Sequence, residues 1–284
     1  MRKSSCTRRR GDAESAEKKG KPKESKHFAK MRWIFPVGDY GASALSPGRN
    51  MLRVFIGWDS RYPELSDVLS YSLRKHASIP LSISYLKLAE LGLHRPNDPL
   101  ASTEFTYTRF LVPWLCNYEG VAVFMDNDMV CLGDIKELAE LDMDPYALRV
   151  VKHDYRPTNK TKMYGCPQTV YPRKNWSSLM IMNCARLRLW SKQVVDTQSG
   201  AYLHRFQDIP DELMGDISPA WNALDWMDRG TRLIHYTNGG PWFERYRDHP
   251  YGQVWFKMRD EWRAGLPGAA DGPVADPVRQ PGVH

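Results

Sequence analysis

The stretch GVAVFMDNDMVCLGDI, Gly120–Ile135, constrains this chain more than any other. Val121 to Met125 are apolar, Asp126–Asn127–Asp128 follow, and the chain turns apolar again at once. So short an apolar run with a polar break reads as a buried strand. Two carboxylates at its end are costly unless something positive meets them. In extended backbone, residues i and i+2 share a side, so Asp126 and Asp128 converge; on a helix they would diverge. Two hard oxygen ligands suit Mg²⁺ or Mn²⁺, which keep open positions for water or substrate phosphate. A turn or helix cap built by the same acids is the plainer alternative.

The flanking pattern says what kind of sheet holds that strand. LRVFIG, Leu52–Gly57, is a short buried strand, and PELSDVLSYSLRKHA follows it. Pro63 marks a helix start, with Leu65, Val68, Leu69 and Leu73 on one face. LSISYLKL (Leu81–Leu88), YALRVVKH and WSSLMIMNC (Trp176–Cys184) read as further strands, and DIKEL as a short helix. FTYTRFLVPWLCNY reads as a helix bent or broken near Pro113. Alternating strands and helices predict an α/β fold, a mostly parallel sheet with helices on both faces. Ligands of such sheets bind beyond the carboxyl ends of strands, where Asp126 and Asp128 sit.

Charge and composition narrow the function. The chain of 284 residues has a net charge of +7, which taken alone suggests nucleic acid. Residues 1–50 carry 13 Lys and Arg against 5 Asp and Glu, whereas the other 234 carry 27 against 28. The basicity belongs to a Lys-, Arg-, Ser- and Gly-rich segment without apolar periodicity, so 1–50 is expected to be a disordered tail. A near-neutral body argues against nucleic-acid binding, since phosphate contacts need a positive surface. The tail suits peripheral contact with an anionic membrane. Order begins abruptly at Met51, which makes Met51 a candidate translation start that intact mass would test. Residues 51–263 are expected to form the catalytic domain, and the Pro-, Gly- and Ala-rich 264–284 a disordered C-terminal tail. No run approaches the roughly 18 apolar residues of a membrane span. The five cysteines are scattered and form no C-x-x-C pair, which argues against a zinc site or disulfide framework and fits a cytoplasmic setting.

Two more stretches extend the acidic strand end. In LIHYTNGGPWF, Leu233–Phe243, a strand ends in His235, and Gly239–Gly240–Pro241 makes a turn whose amides suit a phosphate. A histidine there adds a nitrogen ligand to a carboxylate site; an ordinary loop histidine is the alternative. In EFTYTRFLVPWL, Arg109 is placed to pair with Asp126 or to reach a diphosphate.

Taken in order, VFIGWDSRYPELSDVLSYSLRKHA, YTRFLVPWL…VAVFMDNDMVCLGDIKEL, NWSSLMIMNCARLRLW and HYTNGGPW resemble the family 8 glycosyltransferases, glycogenin-like and lipopolysaccharide-galactosyltransferase-like enzymes, over about residues 51–246. The pattern is similar to a divergent bacterial-type branch. The resemblance implies a GT-A fold, a Rossmann-like nucleotide-diphospho-sugar transferase with a mixed, mostly parallel sheet flanked by helices. It implies a donor such as a UDP-sugar held through Mn²⁺ or Mg²⁺, transfer with retention, and a glycan or lipid-linked acceptor. Carried over by position, Asp126, Asp128 and His235 are metal ligands, and Arg109 contacts the aspartate or the donor. Gly57, Asp59 and Tyr62 meet base and ribose, and Asn127 meets ribose or donor sugar. Two departures stand out. Gly240 occupies the place of the lysine that reaches the diphosphate, so either the Gly239 and Gly240 amides with Arg109 take over or donor binding is weaker. Trp176–Ser177–Ser178 replaces Asn-Ser-Gly.

The segment FQDIPDELMGDISPAWNALDW supplies the expected catalytic residues, Asp211 and Asn222, with Asp208, Glu212 and Asp216 as rivals on what reads as an acidic helix. Trp221 and Trp242 are expected near the pocket, and Trp190, Trp226 and Trp255 in packing roles. Two alternatives remain, one of them an enzyme. VFMDNDMVCL nearly fits a haloacid-dehalogenase-type phosphatase with Asp126 as nucleophile, although that motif normally opens a domain and leaves His235 unexplained. An inactive glycosyltransferase-like protein is the other.

Overall fold

The computed structural model describes residues 51–95, 98, 101–156, 161–162, 166–167 and 172–266. Both expected tails, 1–50 and all but the first three residues of 264–284, lie outside the described residues.

Eleven strands and six α-helices occur among the described residues. In chain order they are β1 (Leu52–Gly57), α1 (Pro63–His76), β2 (Leu81–Leu86), α2 (Val112–Leu115), β3 (Val121–Met125), β4 (Met129–Cys131), α3 (Lys136–Ala139) and β5 (Leu148–Val150). There follow β6 (Thr161–Lys162), β7 (Cys166–Pro167), β8 (Leu179–Asn183), α4 (Lys192–Thr197), α5 (Gly200–His204), β9 (Met214–Asp216), β10 (Ala223–Leu224), β11 (Leu233–His235) and α6 (Gly252–Ala264). A six-stranded sheet runs β2-β1-β3-β8-β5-β9, a three-stranded one β10-β11-β4, and β6 pairs with β7. The β1–β2, β1–β3 and β5–β9 pairings are parallel, while β8 runs antiparallel to β3 and β5. The large sheet is therefore mixed and mostly parallel.

The apolar strands are apolar because both faces of the sheet are covered. Ala122 and Phe124 of β3 and Met180 and Met182 of β8 share one core with Phe110, Leu111, Trp190, Val195 and Leu203. Val121, Val123, Met125, Leu179 and Ile181 alternate onto the other face, against Leu69 and Leu73 of α1 and Ile135 and Leu138. A third cluster joins Leu65 and Val68 of α1, Val130, Ile234, Tyr236, and Trp255 and Met258 of α6. Helix α1 starts on Pro63 and carries Arg74, Lys75 and His76 in its last turn, as the helix dipole favours.

Several expected elements are shorter or of another kind. The predicted helix around Pro113 is a 3₁₀ turn, Thr108–Leu111, followed by α2. Pro113 lies in the first turn of α2, where no backbone hydrogen bond is lost, and left-handed Asn117 and Tyr118 end the segment. The strand predicted over YALRVVKH survives only as β5, and Trp176–Ser178 is a 3₁₀ turn entered through left-handed Asn175. The acidic segment is not a helix. It comprises the 3₁₀ turn Asp211–Leu213, β9, and the 3₁₀ turn Pro219–Trp221, because β9 adds to the sheet edge beside β5.

Gly57 ends β1 where Phe105 packs down on it: a Cβ there would fall 2.4 Å from the ring. Gly57→Ala is expected to cost about 1–3 kcal/mol by overpacking. Chemical denaturation would show this as a lower midpoint at unchanged slope.

Candidate active site

Asp126 leaves β3 with its backbone N–H still donating to the Ser178 carbonyl, at 2.9 Å, so the strand ladder persists to the first aspartate. The chain then crosses to the small sheet. Pairing of His235 with Met129, and the Tyr236 amide donating to the Asp128 carbonyl at 2.9 Å, bring the end of β11 beside Asp128. One ligand atom each from Asp126, Asp128 and His235 lies within 4.8 Å of the others. Asp128 and His235 are buried, and His235 Nε2 sits 3.2 Å from Asp128 Oδ1.

A chain of hydrogen bonds fixes which nitrogen of His235 points at the carboxylates. Ser178 Oγ donates to the Asn175 carbonyl at 2.7 Å, so it accepts from Asn222 Nδ2 at 2.9 Å. That turns Asn222 Oδ1 toward His235 Nδ1, 2.9 Å away, which must carry the proton. In the neutral ring, Nε2 then presents its lone pair to Asp128. Burial disfavours the imidazolium, but the Asp128 charge, with Asp126 and Asp225 beyond it, outweighs this and raises the His235 pKa. Three acceptors facing one another with a preset tautomer fit a divalent cation bound by two oxygens and one nitrogen. The three residues are the ones the sequence brought forward for this purpose.

Arg109 meets Asp126 directly, Nη1 to Oδ1 at 2.8 Å. It is 5% exposed and also donates to the Ser177 carbonyl at 2.9 Å. The Trp176–Ser177–Ser178 turn therefore steadies both halves of the group: Ser177 holds Arg109, and Ser178 holds Asn222 and through it His235. Spacing alone gave no sign of this role.

The other expected residues divide. Asn127 is 4% exposed, and its Nδ2 has no partner among the described residues. The Asp59 carboxylate accepts from Arg61 Nε at 2.8 Å and from the Glu104 amide at 3.3 Å, so it shapes the loop after β1. Tyr62 immediately precedes α1, makes no capping bond, and meets Phe243 edge-on at 5.1 Å. The Gly239 amide is occupied, donating to the Tyr236 carbonyl at 3.1 Å, and so differs from the open phosphate donor expected. Gly240 lies under the Trp242 ring, and a Cβ there would come within 2.0 Å of it. That indole takes the space where a lysine side chain at 240 would begin.

Asn222 is 1% exposed with both ends of its amide engaged, so it supports His235. The structure does not join Asp211 to the Asp126–Asp128–His235 group: its side chain is 82% exposed and paired with Arg173. Among its rivals, Asp216 pairs with Lys152, and Asp208 accepts from Tyr202 while burial raises its pKa. Trp221 is 3% exposed inside the core and offers no face to a sugar; Trp242 packs on Tyr236 and Trp255. No helix among the described residues is long and apolar enough to cross a membrane.

A model of glycosyl transferase family 8 matches residues 57–197. Protein CDI of Arabidopsis thaliana is 41% identical over 231 residues, covering 76% of this chain and 89% of its own. Among solved structures, an active-site mutant of LgtC is similar with a TM-score of 0.50 at 13% identity, covering 76% of this chain and all of that one, a likeness of fold. The glycosyltransferase GlyE of Streptococcus pneumoniae TIGR4 gives a TM-score of 0.49 at 14% identity over 76% of this chain. The present chain spans 64% of GlyE, less than two thirds of its length.

Proposed function

Since the chain belongs to the family 8 glycosyltransferases and is a glycosyltransferase, we propose that it moves a hexose from a nucleotide-diphosphate sugar, a UDP-sugar, to a glycan or lipid-linked acceptor, with retention and with Mn²⁺ or Mg²⁺. The convergence of Asp126, Asp128 and His235 within 4.8 Å carries this reading. A divalent ion in that group supplies charge stabilisation for the leaving diphosphate without proton transfer.

The chain's own residues prepare for it. Asp126 and Asp128 offer the anionic oxygens, and Asn222 keeps Nδ1 of His235 protonated so that Nε2 stays a lone-pair donor. Arg109 holds Asp126 in place and offsets charge that would otherwise repel both Asp128 and a diphosphate. With the Gly239 amide engaged, the Gly240 amide and Arg109 remain for the phosphates. Gly57, Asp59 and Tyr62 form the loop that receives the nucleoside, and Asn127 a contact to ribose or sugar. Asp211, exposed and paired with Arg173, is assigned to the acceptor side. Family membership, and a histidine that a phosphatase would leave unused, favour this reading over the phosphatase and inactive alternatives. The basic segment 1–50 brings the enzyme to anionic membrane from the cytoplasm; salt-insensitive vesicle binding, or none, would sink that part.

Donor binding and hydrolysis across UDP-, GDP- and CMP-sugars, with and without Mn²⁺, tests the proposal. UDP-sugar hydrolysis that needs the metal is the expected result, and metal-independent binding would refute it. Asn222→Leu is expected to weaken Mn²⁺ binding by about 10–100-fold, the usual effect of losing a ligand's supporting partner. Calorimetric titration of the variant checks this, and unaltered affinity would mean that Asn222 does not set the His235 tautomer.

A further inference from the structure

A second histidine stands near the group, and nothing above uses it. His153 follows β5. That strand runs antiparallel to β8, which runs antiparallel to β3, so β5 and β3 point the same way and His153 leaves the sheet at the end where Asp126 does. Its backbone is held from two sides: its N–H donates to the Val151 carbonyl at 3.0 Å, and its carbonyl accepts from Trp176 Nε1 at 2.9 Å. Two residues on, the Tyr155 hydroxyl meets Asn238 Oδ1 at 3.2 Å, tying this segment to the loop after His235.

The ring Nε2 of His153 is buried and has no hydrogen-bond partner among the described residues. Desolvation of such an atom without a bond costs about 1–3 kcal/mol, which a hydrogen-bonding ligand would recover. Asn127 Nδ2, at the end of β3, is another such atom. Burial, then the neighbouring His235, pushes the His153 pKa down to about 4, so the ring is neutral at ordinary pH. A neutral ring has no charge with which to attract a phosphate. The group of metal-type ligands is made by Asp126, Asp128 and His235 without it. What fits a neutral imidazole is a hydroxyl.

The order of strands says which hydroxyl. Along the sheet, β1 with its nucleoside loop comes first, then β3 with Asp126 and Asp128, then β8, then β5 with His153. A donor laid across these ends with its nucleoside at β1 and its diphosphate at β3 carries its sugar toward β8 and β5. We propose that His153 contacts the sugar being transferred, hydrogen-bonding one of its hydroxyls through the buried, unpartnered Nε2. This rests on the donor reading given above and adds to it the residue that reads the sugar.

The test compares wild type with His153→Ala and His153→Gln in Mn²⁺. It measures thermal midpoint, UDP binding, and hydrolysis of UDP-glucose and UDP-galactose. Both variants are expected to keep the midpoint and to bind UDP within twofold of wild type. The kcat/KM of the preferred donor should fall about tenfold, and the preference between the two epimeric donors should shrink, since a lost hydrogen bond to substrate costs about that much. Wild-type rates and preference in both variants would overturn the role of His153. So would a loss that appears equally in UDP binding and in the midpoint, which marks a structural part. A wild type that binds no UDP with Mn²⁺ would overturn the donor reading, and this proposal with it.

Discussion

Asp128→Ala is expected to lower metal-dependent donor turnover by about a thousandfold, the scale on which a charge-stabilising group contributes to group transfer. The physical reason lies in the charge balance of the group. A half-buried carboxylate, a buried one and a lone pair face one another, and Asp128 links the other two: its Oδ1 is 3.2 Å from His235 Nε2. Removing it leaves one carboxylate, already engaged by Arg109, and one imidazole. The same substitution removes repulsion against Asp126 but also the charge that raises the His235 pKa, so without metal the variant should lose stability below that raised pKa and little above it. Thermal unfolding separates the two effects. Wild type should gain stability with Mn²⁺, by about 2.7 kcal/mol at a hundredfold excess over Kd, and the variant should gain almost none. Equal metal-induced shifts in the two proteins would show that the ion does not bind here. Asp126→Ala should behave similarly in turnover but, unlike Asp128→Ala, should strand Arg109.

Arg109→Met carries the second large effect. The guanidinium and the Asp126 carboxylate are both largely buried, with side chains 7% and 15% exposed. Taking away one partner of a buried pair leaves an uncompensated charge, at a cost of about 3–5 kcal/mol. For a domain of this size that is a fall in thermal midpoint of roughly 10 °C. Here the stranded carboxylate has a second possible counter-charge. Saturating Mn²⁺ is therefore expected to recover more stability in Arg109→Met than in wild type. Destabilisation with no added response to metal would mean that Arg109 matters only through its bonds to the Ser177 and Phe105 carbonyls.

The residues that touch the proposed ion were legible because their signals are local. Alternation places Asp126 and Asp128 on one side of an extended chain, and a strand end in an α/β sheet is where ligands gather. Arg109 was legible as one cation in an otherwise apolar stretch. Asn222 came forward for another reason, as a catalytic candidate, and its both-ways hydrogen bonding shows a supporting part. Ser177 and Ser178 stood out only as a departure from Asn-Ser-Gly and gave no sign of a supporting role, and Asn175 gave none, since small polar residues before a strand look like any turn. His153 could have been found by the argument that found Asp126, because it too follows an apolar strand; a strand drawn through Lys152 and His153 concealed it.

Alternation and spacing thus determined an α/β sheet and the covered faces of its strands, and brought Asp126 and Asp128 forward as candidate ligands, while the roles expected of His235 and Arg109 came from the family resemblance. The sheet and the two aspartates follow from periodicities of two and 3.6 residues, which each short segment carries by itself. Only the tertiary structure decided that β8 runs against its neighbours, that β4 and β11 pair so that His235 meets Asp128, and that Trp242 fills the place beside Gly240. Each depends on contacts between segments far apart in the chain, and no local pattern encodes which distant backbone will supply the partner for a hydrogen bond.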